Sequence, residues 1–219
     1  MLERPLTRQA WLGGAVLTAL GLAGLKPGSP QAASVSCILT PEQTEGPYYI
    51  AGEKLRRNIT DGRPGAPMLL RTTVVDATTC RPIRNAAVDI WHADAGGVYS
   101  GFGAGASNRT FMRGIQRTNA KGLASFRTVY PGWYQGRTVH IHVKVHVGGN
   151  VVHTGQLYFS DTLTDAVYRA APYSSRPNRT TRNATDSIYR DGGSKSLLHV
   201  TKNSAGVYIA TITMGIHRS

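Results

Sequence analysis

The sequence predicts an all-β fold: an antiparallel β-sandwich with long loops and one or two short helices. Three observations predict it. Six or more short runs rich in Val, Ile, Thr, Tyr and Phe recur along the 219 residues, separated by Gly, Pro, Asn and Asp clusters. No stretch carries a sustained helical periodicity, and there is no internal repeat. Strands at this spacing are too many for one half-covered sheet and argue for two packed sheets.

The elements follow in order. MLLRTTVVDA (68–77) and AAVDIWHA (86–93) are β-branched runs that read as strands, and GLASFRTV (122–129) begins after a turn glycine. TVHIHVKVHV (138–147) and VVHTGQLYF (151–159) are joined by GGN (148–150), a hairpin turn. SDTLTDAVYRAA (160–171) opens on a Ser/Asp cap signal and reads as a short helix. Residues 172–205 are irregular, an excursion of the kind that covers a site or is mobile. GVYIATITM (206–214) reads as the last strand.

The N-terminal stretch does not belong to this pattern. Arg4 and Arg8 precede an apolar run from Ala10 to Leu25, and small residues follow. That is the order of a secretory leader, with a degraded twin-arginine look, or else of an uncleaved anchor. The run is short and glycine-interrupted for a membrane span. The expected division is a leader at 1–33 and a β-sandwich domain at 34–219, exported to the periplasm or beyond. Two cysteines, Cys37 and Cys80, in an exported chain suggest one disulfide, with a single possible connectivity. Lys and Arg number 25 against 12 Asp and Glu, a net charge of +13. The arginines are scattered, with no basic helix and no nucleic-acid motif, so the charge reads as a solvated surface.

The strand TVHIHVKVHV carries the chemistry. Alternation points Ile141, Val143, Val145 and Val147 one way and His140, His142, Lys144 and His146 the other. The second face is either solvated or a pair of imidazoles able to grip one metal ion. Tyr134 lies in PGWY just before this strand, and Tyr99 in DIWHADAGGVYSG beyond a Gly-Gly turn. Each alone is an ordinary strand-end tyrosine. Together with His140 and His142 they make two phenolates and two imidazoles, a hard donor set suited to a trivalent ion. Two tyrosinates offset most of such an ion's charge, which makes it cheaper to bury. A zinc hydrolase on the same histidines lacks a nearby carboxylate or cysteine ligand.

Several stretches then resemble one family. CILTPEQTEGPYY (37–49), VVDATTCRPIRNAAVDIWHADAGGVYSGF (74–102), RTVYPGWYQGRTVHIHVKV (127–145), TGQLYF (154–159) and APYSSRPNRTTRNATDSIY (171–189) are similar to segments of the intradiol ring-cleavage dioxygenases. These form the protocatechuate and catechol dioxygenase superfamily, and the likeness is strongest to exported single-domain members. The resemblance implies a prealbumin-like sandwich core holding non-haem iron(III) through Tyr99, Tyr134, His140 and His142. It implies a catechol-type diol and O2 as substrates and a cis,cis-muconate-type product. Tyr134 would be the displaceable ligand and a general base, and Arg137 an electrostatic stabiliser. Gln156 would orient Arg137 or the substrate, and Gly46, Pro47 and Tyr48 would line the substrate site. Whether the chain is a monomer or a dimer stays open. A different reading also stays open. Parts of 74–134 resemble metal-free prealbumin-like or carboxypeptidase-regulatory modules, which bind or brace rather than catalyse.

Overall fold

The computed structural model describes residues 37–103 and 105–218. The expected leader, 1–33, lies outside the described residues. Among those described, no helix is long and apolar enough to cross a membrane.

Eight strands form two four-stranded sheets. In chain order they are β1 (Pro67–Asp76), β2 (Ala87–Trp91), β3 (Arg113–Arg117), β4 (Leu123–Val129), β5 (His140–Val147), β6 (Asn150–Tyr158), β7 (His199–Lys202) and β8 (Tyr208–Ile216). One sheet runs β4-β1-β8-β7 and the other β3-β2-β5-β6. Every neighbouring pair is antiparallel except β1 and β8, which run parallel from Met68 beside Tyr208 to Asp76 beside Ile216. The sandwich is therefore mixed where the sequence predicts a purely antiparallel one.

The core lies between the sheets. Leu70, Val74, Phe126 and Met214 of the first meet Val88, Ile90, Ile141, Val143 and Val145 of the second. Each is fully buried or nearly so, contributing roughly 1.5–3 kcal/mol per side chain. The β5–β6 hairpin turns on Gly148 and Gly149, at φ of 61° and 93°. A two-residue turn of this hand needs such angles, and glycine adopts them without steric cost.

Three expectations need correction. β3 (RGIQR) and β7 (HVTK) are not apparent in the sequence, being short and polar. The helix, α1 (Asp161–Val167), is shorter than 160–171, though Ser160 does cap it by accepting from the Leu163 amide. The 172–205 excursion holds 3-10 turns at Tyr173–Ser175, Asn183–Thr185 and Gly193–Ser196, a four-residue helix α2 (Ser187–Arg190), and β7.

The polar face of β5 is not solvated. His140, His142 and Lys144 are 2 %, 1 % and 7 % exposed. The reason is a strap, residues 39–57, laid across that sheet. Gln43 donates its amide to the Thr154 carbonyl at 2.9 Å, and Leu55 bridges to Ile115. Glu45 pairs with Lys144, which also lies 3.7 Å over the Tyr49 ring. A disulfide joins Cys37, at the start of the strap, to Cys80 in the turn after β1, with Cα atoms 5.5 Å apart.

Candidate functional site

β5 presents His140 and His142 on one face. His140 Nδ1 lies 2.6 Å from the Thr138 carbonyl. A carbonyl only accepts, so Nδ1 carries the proton and Nε2 offers its lone pair. Tyr134 Oη lies 3.1 Å from that Nε2, and His142 Nε2 lies 3.0 Å from it. Trp91 of β2 stacks on the His142 ring at 4.9 Å and 3°, fixing its plane. Burial, aided by the Arg137 charge, pushes His140 down to about 3. Burial pushes His142 well below its ordinary value. Both imidazoles are therefore neutral, the state in which they can donate to a metal.

The tyrosines arrive from two loops held together by glycine. A Cβ on Gly132 would lie 2.3 Å from the Ala95 carbonyl oxygen, so only glycine lets PGWY pack against the loop after β2. In that loop Asp94 accepts from the Val98 amide at 3.0 Å. Tyr99 and Tyr134 then meet edge to face, with centroids 5.5 Å apart. The Tyr99 hydroxyl is buried and makes no hydrogen bond of good geometry. Burial raises both phenols, Tyr99 well above its usual range.

These atoms fit a metal ion. Two donors about 2.1 Å from one ion and at right angles lie about 3 Å apart, as the two Nε2 atoms do. A buried hydroxyl whose one neighbour is another phenol in poor geometry is costly, and coordination would relieve Tyr99 of that cost. Tyr99, Tyr134, His140 and His142 are the side chains that could hold the ion. Among the described residues no three His, Cys, Asp or Glu side chains cluster as a metal site. A metal held here would need the two tyrosines beside the two histidines.

Arg137 and Gln156 also come together. Arg137 Nη2 donates to Gln156 Oε1 at 2.5 Å, and Gln156 Nε2 donates to the Thr44 carbonyl at 2.9 Å. Gln156 thus ties the guanidinium to the strap. Gly46 lies over His142, at φ of 70°, where a Cβ would meet His142 Cε1 at 3.2 Å. Tyr48 stacks on Tyr99 at 4.3 Å and 16°, and its ring stands edge-on to Tyr134 at 6.1 Å. Pro47 is exposed at the turn between them.

Residues 44–178 match the family model described as Dioxygenase. The intradiol ring-cleavage dioxygenase from Tetranychus urticae superposes with a TM-score of 0.80 and 34 % identity over 83 % of this chain and 96 % of that one. The chain belongs to the intradiol ring-cleavage dioxygenases. The dioxygenase domain of a carbohydrate-binding fusion protein from Streptomyces sp. SirexAA-E gives a TM-score of 0.64 at 31 % identity, over 83 % of this chain and all of that domain. Catechol 1,2-dioxygenase 2 from Acinetobacter lwoffii is 37 % identical over 107 residues, 45 % of this chain. The match spans 38 % of that relative and 32 % of the related catechol 1,2-dioxygenase 1, about a third of their length.

Around the donor set of this intradiol dioxygenase stand residues that sequence reasoning missed. Arg113 of β3, 1 % exposed, donates through Nη1 to the Tyr48 carbonyl at 2.7 Å and through Nη2 to the Ser100 carbonyl at 2.7 Å. It joins the strap to the Tyr99 loop. Asp186 accepts from Arg137 Nε at 2.9 Å, far from it in sequence. Burial raises the Asp186 carboxyl, but the Tyr189 and Thr138 amides and Arg137 outweigh it and hold it below the usual carboxylate range. The only sequence signal at Asp186 is its place before SIYR, an N-cap pattern that says nothing of Arg137.

Proposed function

We propose that this chain is a non-haem iron(III) intradiol dioxygenase that cleaves catechol-type diols with O2 to cis,cis-muconate-type products. The observation that carries the reading is the convergence of two phenols and two neutral imidazoles in a buried site, with the Tyr99 hydroxyl facing the Tyr134 phenol. Family membership supports it, and so do relatives whose names specify catechol 1,2-dioxygenase. Tyr99, Tyr134, His140 and His142 would hold the ion. When bound, iron(III) supplies the Lewis-acid and redox centre that engages the diol and makes its ring reactive toward O2.

The remaining roles belong to the chain. Tyr134 Oη, beside His140 Nε2, would be held as the tyrosinate when the ion is bound, and in that state it is the base that takes a proton from the incoming diol. Arg137 stays protonated and sets a fixed positive charge beside the ring as negative charge grows there. Gln156 holds that guanidinium in place. Tyr48 packs the Tyr99 ring, and Gly46 leaves room beside His142 for a substrate edge. The metal-free module reading leaves the buried Tyr99 hydroxyl unexplained. Export is proposed with this reading, supported by the Cys37–Cys80 disulfide, a bond of oxidising compartments.

The test is to load the purified protein with ferric iron and add catechol under oxygen. The expected result is a tyrosinate charge-transfer colour, one O2 consumed per diol, and both oxygen atoms in a ring-opened dicarboxylate. A colourless protein that takes up no iron would return the chain to the module class. Iron uptake with no cleavage across a panel of catechols would defeat the proposed reaction.

A further inference from the structure

We propose that Asp186 is a positioning residue that aligns Arg137 and fixes His140 from behind. The inference rests on the functional reading above and deepens it. The Asp186 side chain is 1 % exposed and its two oxygens face different ways. Oδ1 accepts from the Ile188 and Tyr189 amides at 2.8 and 2.9 Å, capping α2. Oδ2 accepts from Arg137 Nε at 2.9 Å and from the Thr138 amide at 2.7 Å. A cap requires only the first oxygen; the second is turned toward the site.

Thr138 carries the effect onward. Its amide is held by Asp186, and its hydroxyl donates to Asn183 Oδ1 at 2.6 Å. Its carbonyl accepts from His140 Nδ1 at 2.6 Å. The peptide that selects the His140 tautomer is thus anchored at the amide and the side chain of one residue, both from the 183–189 segment. Arg137 is anchored twice as well. Asp186 holds its Nε edge and Gln156 holds Nη2. Two acceptors on different nitrogens fix both the plane and the direction of a guanidinium, where one would leave it free to swing. Partners that orient a metal ligand from behind typically affect metal affinity or activity by about 10–100-fold.

The variant D186N separates the two oxygens. Its carbonyl oxygen can keep the α2 cap, which turns the NH2 group toward Arg137 Nε and the Thr138 amide, donor against donor. The expected result for the iron-loaded protein is retained folding, a kcat lower by at least about tenfold, a KM within about threefold, and a shifted charge-transfer band. In the metal-free protein, 15N chemical shifts should show His140 as the Nδ1–H tautomer in the parent and as a mixture in D186N. In an R137M background, D186N should lower kcat by a clearly smaller factor than in the parent, because the part acting through Arg137 is already lost and only the part acting through Thr138 and His140 remains.

A D186N protein with parental kcat, spectrum and tautomer overturns the proposal. So do losses that multiply in the double variant, the mark of an unrelated structural defect. D186S keeps a capping oxygen and is read in the same way. Failure of both to fold also overturns the proposal, since the carboxylate would then serve folding alone. A parent protein that cleaves no diol defeats the functional reading instead, and the tautomer measurement still decides the role of Asp186.

Discussion

Gly46 shows how little room the site has at the scale of one residue. A methyl at this position would press on His142 Cε1 at 3.2 Å and lie 3.7 Å from its Nε2, on a backbone at φ of 70°. Gly46→Ala should lower unfolding stability by about 1–2 kcal/mol. It should also weaken diol binding by at least about tenfold, read by anaerobic titration of the iron-loaded protein. Asp89 makes a second case. It is 1 % exposed, its carboxyl faces the Tyr49 hydroxyl, and burial, only partly offset by that phenol, pushes it up to about 7. Below about pH 4 both folded and unfolded states hold the proton and there is no penalty. As pH rises toward 7 the unfolded chain releases the proton while the folded one keeps it, so stability falls. Asp89→Asn should therefore stabilise the protein more at pH 8 than at pH 5, by no more than about 4 kcal/mol, measured by urea unfolding at each pH. Single residues were unevenly legible. Tyr134, His140 and His142 are close in sequence, so spacing alone brings them forward. Asp186 and Arg113 act across separations of 49 and 65 residues, on Arg137 and Tyr48, and no local pattern announces such contacts.

At the scale of the element, β5 is legible because its apolar face is continuous and its turn carries two glycines. The same strand shows where periodicity stops being informative. Alternation predicts two faces but not what covers them, and the face holding His140, His142 and Lys144 is closed by the strap at 39–57 rather than by water. β3 and β7 escape detection because RGIQR and HVTK are short and hold a single apolar side chain each, so their pairing with β2 and β8 is imposed by tertiary contacts. The α1 cap is legible, and it gives a clean test. Ser160→Ala removes the acceptor for the Leu163 amide, 3.2 Å away. It should cost about 1 kcal/mol of stability and leave the charge-transfer spectrum unchanged, since the bond removed is local to the first turn of α1. A spectral change in that variant would show that α1 and the site are coupled.

At the scale of the molecule, the disulfide closes a loop with a sequence separation of 43 residues. Replacing Cys37 and Cys80 together by Ser should lower stability by about 2–4 kcal/mol, seen as a lower denaturant midpoint. Sandwich class was legible from strand count and spacing, because two apolar faces must bury each other. The order of strands was not, since the pairing of β1 with β8 joins segments about 140 residues apart in a parallel register that no hairpin signal marks. That pairing bears on time as well as on shape. β8 lies between β1 and β7, inside its sheet, and it follows the other seven described strands along the chain. Until it arrives, β1 has one neighbour instead of two, β7 has none, and the inner faces of both sheets stay partly uncovered. Completing that sheet therefore requires two stretches about 140 residues apart to find each other, a long-range pairing of the kind that forms slowly.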